Sequence, residues 1–427
     1  MEAKVHEKSQ ILRELEIFIG EDEVNQAFDK AFKDMRPKLT LPGFRPGKAP
    51  MSVVKKLHGE AIEGDSLEKL AQEKFQQYAE EVKLEAIGRP MMTDLHRHTG
   101  EGAHFKIAYE VKPEFELVDY QDLEIEQPVY TATDKDVDER IHYFGFNFST
   151  KEEIQEIKDD ESVVNITFQE QEPDETGVLA PPQTTDVYLH DPQVVKELHD
   201  ALLGKKVGAN FKIELPKTTD DPKDGKKMVL LEVTVNKAEQ VILPELTEEF
   251  CKKISRDKAT NELELRLLVR EELEENAKRK STEALESNMV NALLKRHDFM
   301  VPRTITHALL DTMIQELKED NKRRGYPDDY GFNEEEYRKM GWNTAETRGK
   351  WLLLRDKLIE AESLEASDED IAVLAEKDAE QYGIAKENLL KYYQTNEEIK
   401  EKVRSEKLVS RLKEKMKIVE KQVEANI

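Results

Sequence analysis

Cysteine is almost absent from this 427-residue chain. Cys251 stands alone, which excludes an internal disulfide framework and fits a reducing compartment. Long apolar runs are missing too. No stretch approaches the roughly 20 residues of a membrane-spanning helix. The stretch Met1 to Gly20 holds no apolar leader segment before Ile17, so a soluble cytoplasmic protein without a membrane partner is expected. Positive charge falls short of negative: 65 Lys and Arg against 91 Asp and Glu leave −26. Such a surface repels nucleic acid and disfavours broad DNA binding. Hydrophobic residues make up only 38% beside 37% charged, which is lean for one compact globule and suits an elongated, helix-rich molecule. Walker-type loops, Gly-x-Ser-x-Gly elbows and dinucleotide fingerprints are all lacking, so no cofactor is expected and nothing points to ATP use.

What is present falls into blocks. Leu15, Ile17 and Ile19 alternate as one face of a strand ending at Gly20. A helix follows with Asp22 as its expected N-cap and Val24, Ala27, Phe28 and Phe32 at helical spacing. Pro37, Pro42, Gly43, Pro46, Gly47 and Pro50 then forbid a continuous helix. Helical signals resume at Val53, Val54 and Leu57, and a second amphipathic run carries Leu67, Leu70, Phe75 and Val82. Phe105, Ile107, Tyr109 and Val111 alternate as a strand, and Thr133 opens a helix through Val137, Ile141 and Phe144. Between Val164 and Val235 short alternating strands are separated by Gly, Pro and Asp, with one short helix near Val194 to Leu203. After Pro244 the pattern is helical, with Leu408, Leu412, Met416, Val419 and Val423 as its last apolar stripe. The expected fold class is multidomain α+β: an α+β domain over 1–118, a linking helix region over 119–159, a β-rich module over 160–240 and a helical region over 241–427.

The segment from Leu41 to Pro50 is the most informative. From Lys30 to Lys56 eight positive residues and one negative give +7, inside a chain of net −26. Prolines and glycines make this a stiff exposed tip between two helices. A protruding Phe44 beside Arg45 and Lys48 suits docking on a phosphate backbone, where the cations neutralise phosphates and the ring stacks or fills a pocket. An acidic protein surface would suit it equally. A solvated hairpin whose lysines only aid solubility accounts for the charge as well.

The residue order adds to this. Gly43, Phe44, Arg45, Gly47, Lys48 and Pro50 match without a gap the Gly-Phe-Arg-x-Gly-Lys-x-Pro signature of trigger factor, and the chain resembles that family of bacterial ribosome-associated chaperones. Leu243 to Phe250 and Met289 to Leu317 extend the resemblance along the chain, with Val301-Pro302 before a helix expected to be capped by Thr304. The resemblance implies a ribosome-binding domain, a β-rich module like an FKBP-type peptidyl-prolyl isomerase, and a C-terminal chaperone domain with helical arms. It implies that Phe44, Arg45 and Lys48 meet the large ribosomal subunit near the tunnel exit. Nascent and unfolded polypeptides would be the clients, held without ATP, and free molecules would have reason to form homodimers off the ribosome.

An isomerase of this kind twists an X-Pro amide, whose barrier is about 18–20 kcal/mol, in an apolar, aromatic-lined cleft. The matching positions here are depleted. Phe168 remains, followed by Gln169 and Glu170, while Val195 and Leu198 flank Lys196 and Glu197 where a pocket floor would lie. No aromatic occurs from Thr218 to Lys227. Phe168, Val195 and Leu198 are therefore read as catalytic remnants, with isomerase activity weak or absent. Met289, Met300, Met313, Met340, Trp342, Trp351 and Met416 are candidate client contacts, although apolar residues at helical spacing are more often core. His96, His98 and His104 invite a metal reading, but no cysteine lies near and a hairpin explains them, so no metal is expected. Three functions stay open: a holding chaperone, a prolyl isomerase as the main activity, and an adaptor that uses the basic tip on an acidic partner.

Overall fold

Leu15, Ile17 and Ile19 point one way along a strand while Phe18 points the other, and burial follows that alternation: the first three are enclosed and Phe18 is exposed. The computed structural model of the chain describes residues 2–42, 44–45, 47–98, 100–171, 179–216 and 228–423. The chain forms two compact units, one of Met1–Glu126 with Leu285–Val419 and one of Gln127–Ala284 with Glu420–Ile427.

The first unit opens with β1 (Glu2–Glu7), β2 (Leu12–Gly20), α1 (Glu21–Met35), α2 (Met51–Val82), β3 (Ala86–His98) and β4 (Gly102–Val111). The strands form an antiparallel sheet in the order β1-β2-β4-β3. Leu15, Ile17, Phe105 and Ile107 of that sheet pack on Val24, Phe28 and Phe32 of α1 and Val54, Leu67, Leu70 and Phe75 of α2. Helix α1 starts one residue before the expected cap: Gly20 is the N-cap, and Glu21, Asp22 and Glu23 face the positive end of the helix dipole. The two expected runs after the loop are one 32-residue helix. Gly59 and Gly64 sit inside it at about 1 kcal/mol each relative to Ala. Burial of Val54, Ile62, Leu67 and Leu70 outweighs them.

Next come β5 (Glu124–Tyr130), α3 (Asp134–Asn147), β6 (Thr150–Ile154), β7 (Ser162–Glu170), β8 (Gln183–Tyr188), α4 (Lys196–Leu202), β9 (Asn210–Pro216) and β10 (Met228–Ile242). Thr133 and Asp136 close a reciprocal capping box at the start of α3. In the second unit β10 is the long central strand, pairing with β6, β7 and β9, while β8 lies on the far side of β7. Its core is Ile157, Val164, Ile166, Leu202, Val233 and Val235. A second cluster of this unit joins Val137 and Ile141 of α3 to Cys251, Leu265, Val269 and Leu273.

The helical part is α5 (Glu248–Ser255), α6 (Glu262–Arg296), α7 (Arg303–Arg323), α8 (Glu334–Ala361), α9 (Asp368–Tyr382), α10 (Lys386–Thr395) and α11 (Glu397–Lys415), closed by β11 (Lys417–Val423). In the first unit Leu285, Met289 and Leu293 meet Leu354, Leu358, Leu408 and Leu412. Glu362 accepts hydrogen bonds from Tyr120 and Lys415, joining the segment after β4 to α8 and α11. Lys415 and then Tyr120 hold its carboxyl below the usual carboxylate range.

The end of α11 and the start of α7 also differ from the sequence expectation. The last apolar stripe does not continue as a helix: α11 ends at Lys415, Lys417 N donates to Leu123 O at 3.0 Å, and β11 pairs with β5. Ile418, Val419 and Val423 are β-branched and suit a strand. Helix α7 is not capped by Thr304. Pro302 is its N-cap, and the Glu110 carboxylate of β4 accepts from Arg303 N at 3.1 Å and Thr304 N at 2.9 Å. Thr304 instead crowds Gly88, where an added Cβ would fall 2.5 Å from the threonine methyl.

Candidate functional site

Leu39 to Pro50 joins α1 to α2 after a short 3-10 turn at Arg36–Lys38. Its two feet are buried: Leu41 and Ala49 belong to the core of the α/β layer, with Leu39 and Met51 packed on it. Between them Pro42, Phe44, Arg45 and Lys48 are exposed, and Phe44 shows 40% of its surface. The loop is held by its own backbone. Phe44 N donates to Leu41 O at 3.1 Å, Lys48 N to Arg45 O at 2.9 Å and Gly47 N to Leu39 O at 3.4 Å. Gly47 has φ +74°, and a Cβ there would approach Pro37 Cα to 3.2 Å, so both torsion and space favour glycine. Gly43, of the same signature, lies outside the described residues. Pro50 is the N-cap of α2, and its carbonyl accepts from Val53 N and Val54 N.

Among the described residues Arg45 and Lys48 have no ion-pair partner. Lys55, further back, is 3.7 Å from Asp29 and 5.0 Å from the Phe32 ring. The tip thus carries an exposed aromatic and two free cations on a frame whose ends are locked into the core. Such a frame has little conformational entropy to lose on docking. Its chemistry is that of a contact surface for anions, with no nucleophile or acid–base pair.

The expected isomerase remnants occupy different settings. Phe168 is half-buried on β7, opposite Val233 and Gln183, and packs against the core of the sheet. Leu198 packs on the same core from α4. Val195 is exposed at the N-cap of α4, where its carbonyl accepts from Leu198 N and His199 N. The segment Thr218 to Lys227 lies outside the described residues. His199, which no sequence pattern marks, bridges Asp200 at 3.0 Å and Asp160 at 2.9 Å. Asp200 and then Asp160 raise its pKa.

Of the seven candidate client contacts, Met289, Met313 and Met416 are core residues. Met300 and Met340 are exposed, Met340 at 83%. Trp351 is half-buried and lines an apolar groove with Met289, Val290, Leu408 and Leu412. Further exposed apolar side chains, Val373, Tyr382, Ile384 and Tyr392, lie on or beside α9 and α10. The histidines of β3 and β4 do not converge on one point. His96 and His104 are cross-strand neighbours, but His96 approaches Asp94 at 3.0 Å and His104 approaches Glu16 at 2.8 Å. His6 takes the other oxygen of Glu16 at 2.9 Å.

Comparison with known proteins adds identity to this geometry. A family model described as bacterial trigger factor protein matches residues 1–144, and one for the trigger factor C-terminus matches 263–414. The trigger factor of Salinibacter ruber is 29% identical over 94% of this chain and 90% of its own length. That of Chloroherpeton thalassium is 29% identical over 90% of this chain and 88% of its own, and that of Pelodictyon phaeoclathratiforme 27% over 99% and 98%. A solved structure described as "Promiscuous Substrate Recognition in Folding and Assembly Activities of the Trigger Factor Chaperone" aligns with 96% of this chain and 98% of its own at 19% identity, with a TM-score of 0.47. The chain belongs to the trigger factor family of ribosome-associated chaperones.

Proposed function

We propose that the Leu39–Pro50 tip is the ribosome dock of this chaperone, with Phe44, Arg45 and Lys48 as contacts to the large subunit near the tunnel exit. Gly47 and Pro50 shape the turn that presents them, and Gly43 completes the matching signature in the sequence. The observation that carries this reading is a pair of cations without an ion-pair partner among the described residues, beside an exposed phenylalanine in a segment of +7 within a chain of −26. Cations that neutralise phosphates release counterions, so affinity falls as salt rises. Titration of ribosomes across a salt series tests this directly. Arg45→Ala and Lys48→Ala should each flatten the salt dependence by about one in log–log slope, whereas Phe44→Ala should weaken binding at every salt without changing the slope. Slopes of Arg45→Ala and Lys48→Ala identical to that of the unmodified protein would sink the proposal.

On this reading residues 1–118 dock, 119–159 link, 160–240 form an FKBP-like module and 241–427 supply client surface, in the cytoplasm and without nucleotide. Met300, Met340 and the exposed side chains of α9 and α10 support the last assignment, because adaptable apolar groups in a charged surface bind unfolded chains with little sequence demand. The β-rich module serves as scaffold with weak or no isomerase activity, since Phe168 and Leu198 are committed to its core. Self-association off the ribosome is expected of a molecule with such surfaces, and sedimentation equilibrium of the free protein measures it. Suppression of aggregation at stoichiometric amounts without ATP supports the holding function. Acceleration of a proline-limited refolding step at substoichiometric amounts, lost in Phe168→Ala, would instead make the isomerase the main activity.

A further inference from the structure

The second unit brings together three side chains of metal-ligand type from three separate segments. His142 is on α3, Glu161 is in the turn before β7, and His190 is in the turn after β8. Glu161 Oε1 lies 2.6 Å from His142 Nε2 and 3.5 Å from His190 Nδ1, and the three ligand atoms all fall within 4.8 Å of one another. The two imidazoles stack with centroids 3.8 Å apart and planes 14° apart. We propose that His142, Glu161 and His190 form a binding site for a zinc-class divalent metal ion.

Two imidazole nitrogens and one carboxylate oxygen suit a borderline transition ion and are a poor set for calcium or magnesium, which prefer oxygen ligands. Ligand bonds of about 2.0–2.2 Å imply tetrahedral ligand separations of roughly 3.3–3.6 Å. The His190 contact already has that spacing. The His142–Glu161 pair must open by under about 1 Å, and the rings must tilt out of their stack to converge their lone pairs on one ion. His190 is free to do so, with 36% of its side chain exposed and no hydrogen bond among the described residues. That open side also leaves room for a water ligand.

The surroundings are built to hold the carboxylate. Tyr188 donates its hydroxyl to Glu161 Oε2 at 2.6 Å, and Phe146 stacks on the Tyr188 ring at 4.2 Å. The Glu161 carbonyl accepts from Val241 N at 2.7 Å and Gln240 Nε2 at 3.0 Å, while its N–H donates to Asp159 Oδ1 at 3.1 Å. Leu189 N, beside His190, donates to Ser162 O at 3.0 Å. Outer groups of this kind fix ligand orientation and raise affinity. An ion here would tie α3 to the end of the β7–β8 hairpin.

The test is a Zn²⁺ titration of the full, metal-stripped chain against a chromophoric chelator, with Co²⁺ absorption as a second readout. The unmodified protein should bind one equivalent tightly and give a visible Co²⁺ spectrum. His190→Asn should bind at least tenfold more weakly, and His142→Asn with His190→Asn should bind no ion at this site. His6→Asn with His104→Asn, which alters the other histidine pair around a carboxylate, should bind like the unmodified chain. Absence of competition by the unmodified protein would overturn the proposal, as would equal binding by His190→Asn or loss of binding in the His6/His104 variant. Should the double variant not fold, the exposed His190→Asn change decides alone.

Discussion

Gly47 shows how much one residue contributes to the tip. Its left-handed φ and the 3.2 Å approach of a Cβ to Pro37 Cα make alanine strained there. Left-handed backbone costs an L-residue roughly 1–2 kcal/mol. We therefore predict that Gly47→Ala lowers stability of the α/β layer by about 1 kcal/mol in urea unfolding, whereas Phe44→Ala, which removes an exposed ring, leaves it unchanged. Equal stability of Gly47→Ala and the unmodified chain would contradict this. At this scale a pattern is legible in sequence where its members are close. The proposed dock residues Phe44, Arg45 and Lys48 lie within five positions, so they stand out before any fold is known. His142, Glu161 and His190 carry no spacing signal, because β7 and β8 bring them together. The cluster of His96, His98 and His104 is the reverse case: close in sequence, it is split when His96 turns to Asp94 and His104 to Glu16.

Elements end where their partners let them. Glu110 caps α7 from a strand 193 positions earlier in the chain, which sequence inspection near Thr304 has no means to reveal. Removing a capping carboxylate costs about 1 kcal/mol, so Glu110→Ala should lower the thermal midpoint and raise hydrogen exchange at Arg303 and Thr304. Unchanged exchange at those amides would argue against the cap. The box at the start of α9 is local, and there Ser367 and Asp370 bond reciprocally. Lys407 and then Ser367 hold the Asp370 carboxyl down to about 2, below its ordinary 3.8. The folded value is the lower one, so its contribution is full above about pH 4 and is lost as pH falls towards 2. The gap in thermal midpoint between the unmodified chain and Asp370→Asn should accordingly narrow from pH 5 to pH 2; a constant gap would exclude this origin. Strand β11 escaped the periodicity because spacing by four fits Leu408, Leu412 and Met416 but runs on past the end of α11. Pairing with β5 overrides it.

For the whole molecule, charge asymmetry links structure to function. An acidic chain discourages adhesion to RNA in general, and on the proposed reading the basic tip directs attraction to the dock. That arrangement suits a chaperone that must find one place on a ribosome and leave the rest of its surface to emerging chains. The alternation of α/β layer, β-rich insert and helical region was visible from period and composition. The recruitment of β5 and β11 as partners was not, because it joins segments almost 300 positions apart. Co-sedimentation with bacterial ribosomes, comparing the unmodified protein with Phe44→Ala, Arg45→Ala, Lys48→Ala combined, tests the central claim most directly. Pelleting of the former with the latter left in the supernatant, both folded, is the predicted result; equal pelleting of the two would contradict it.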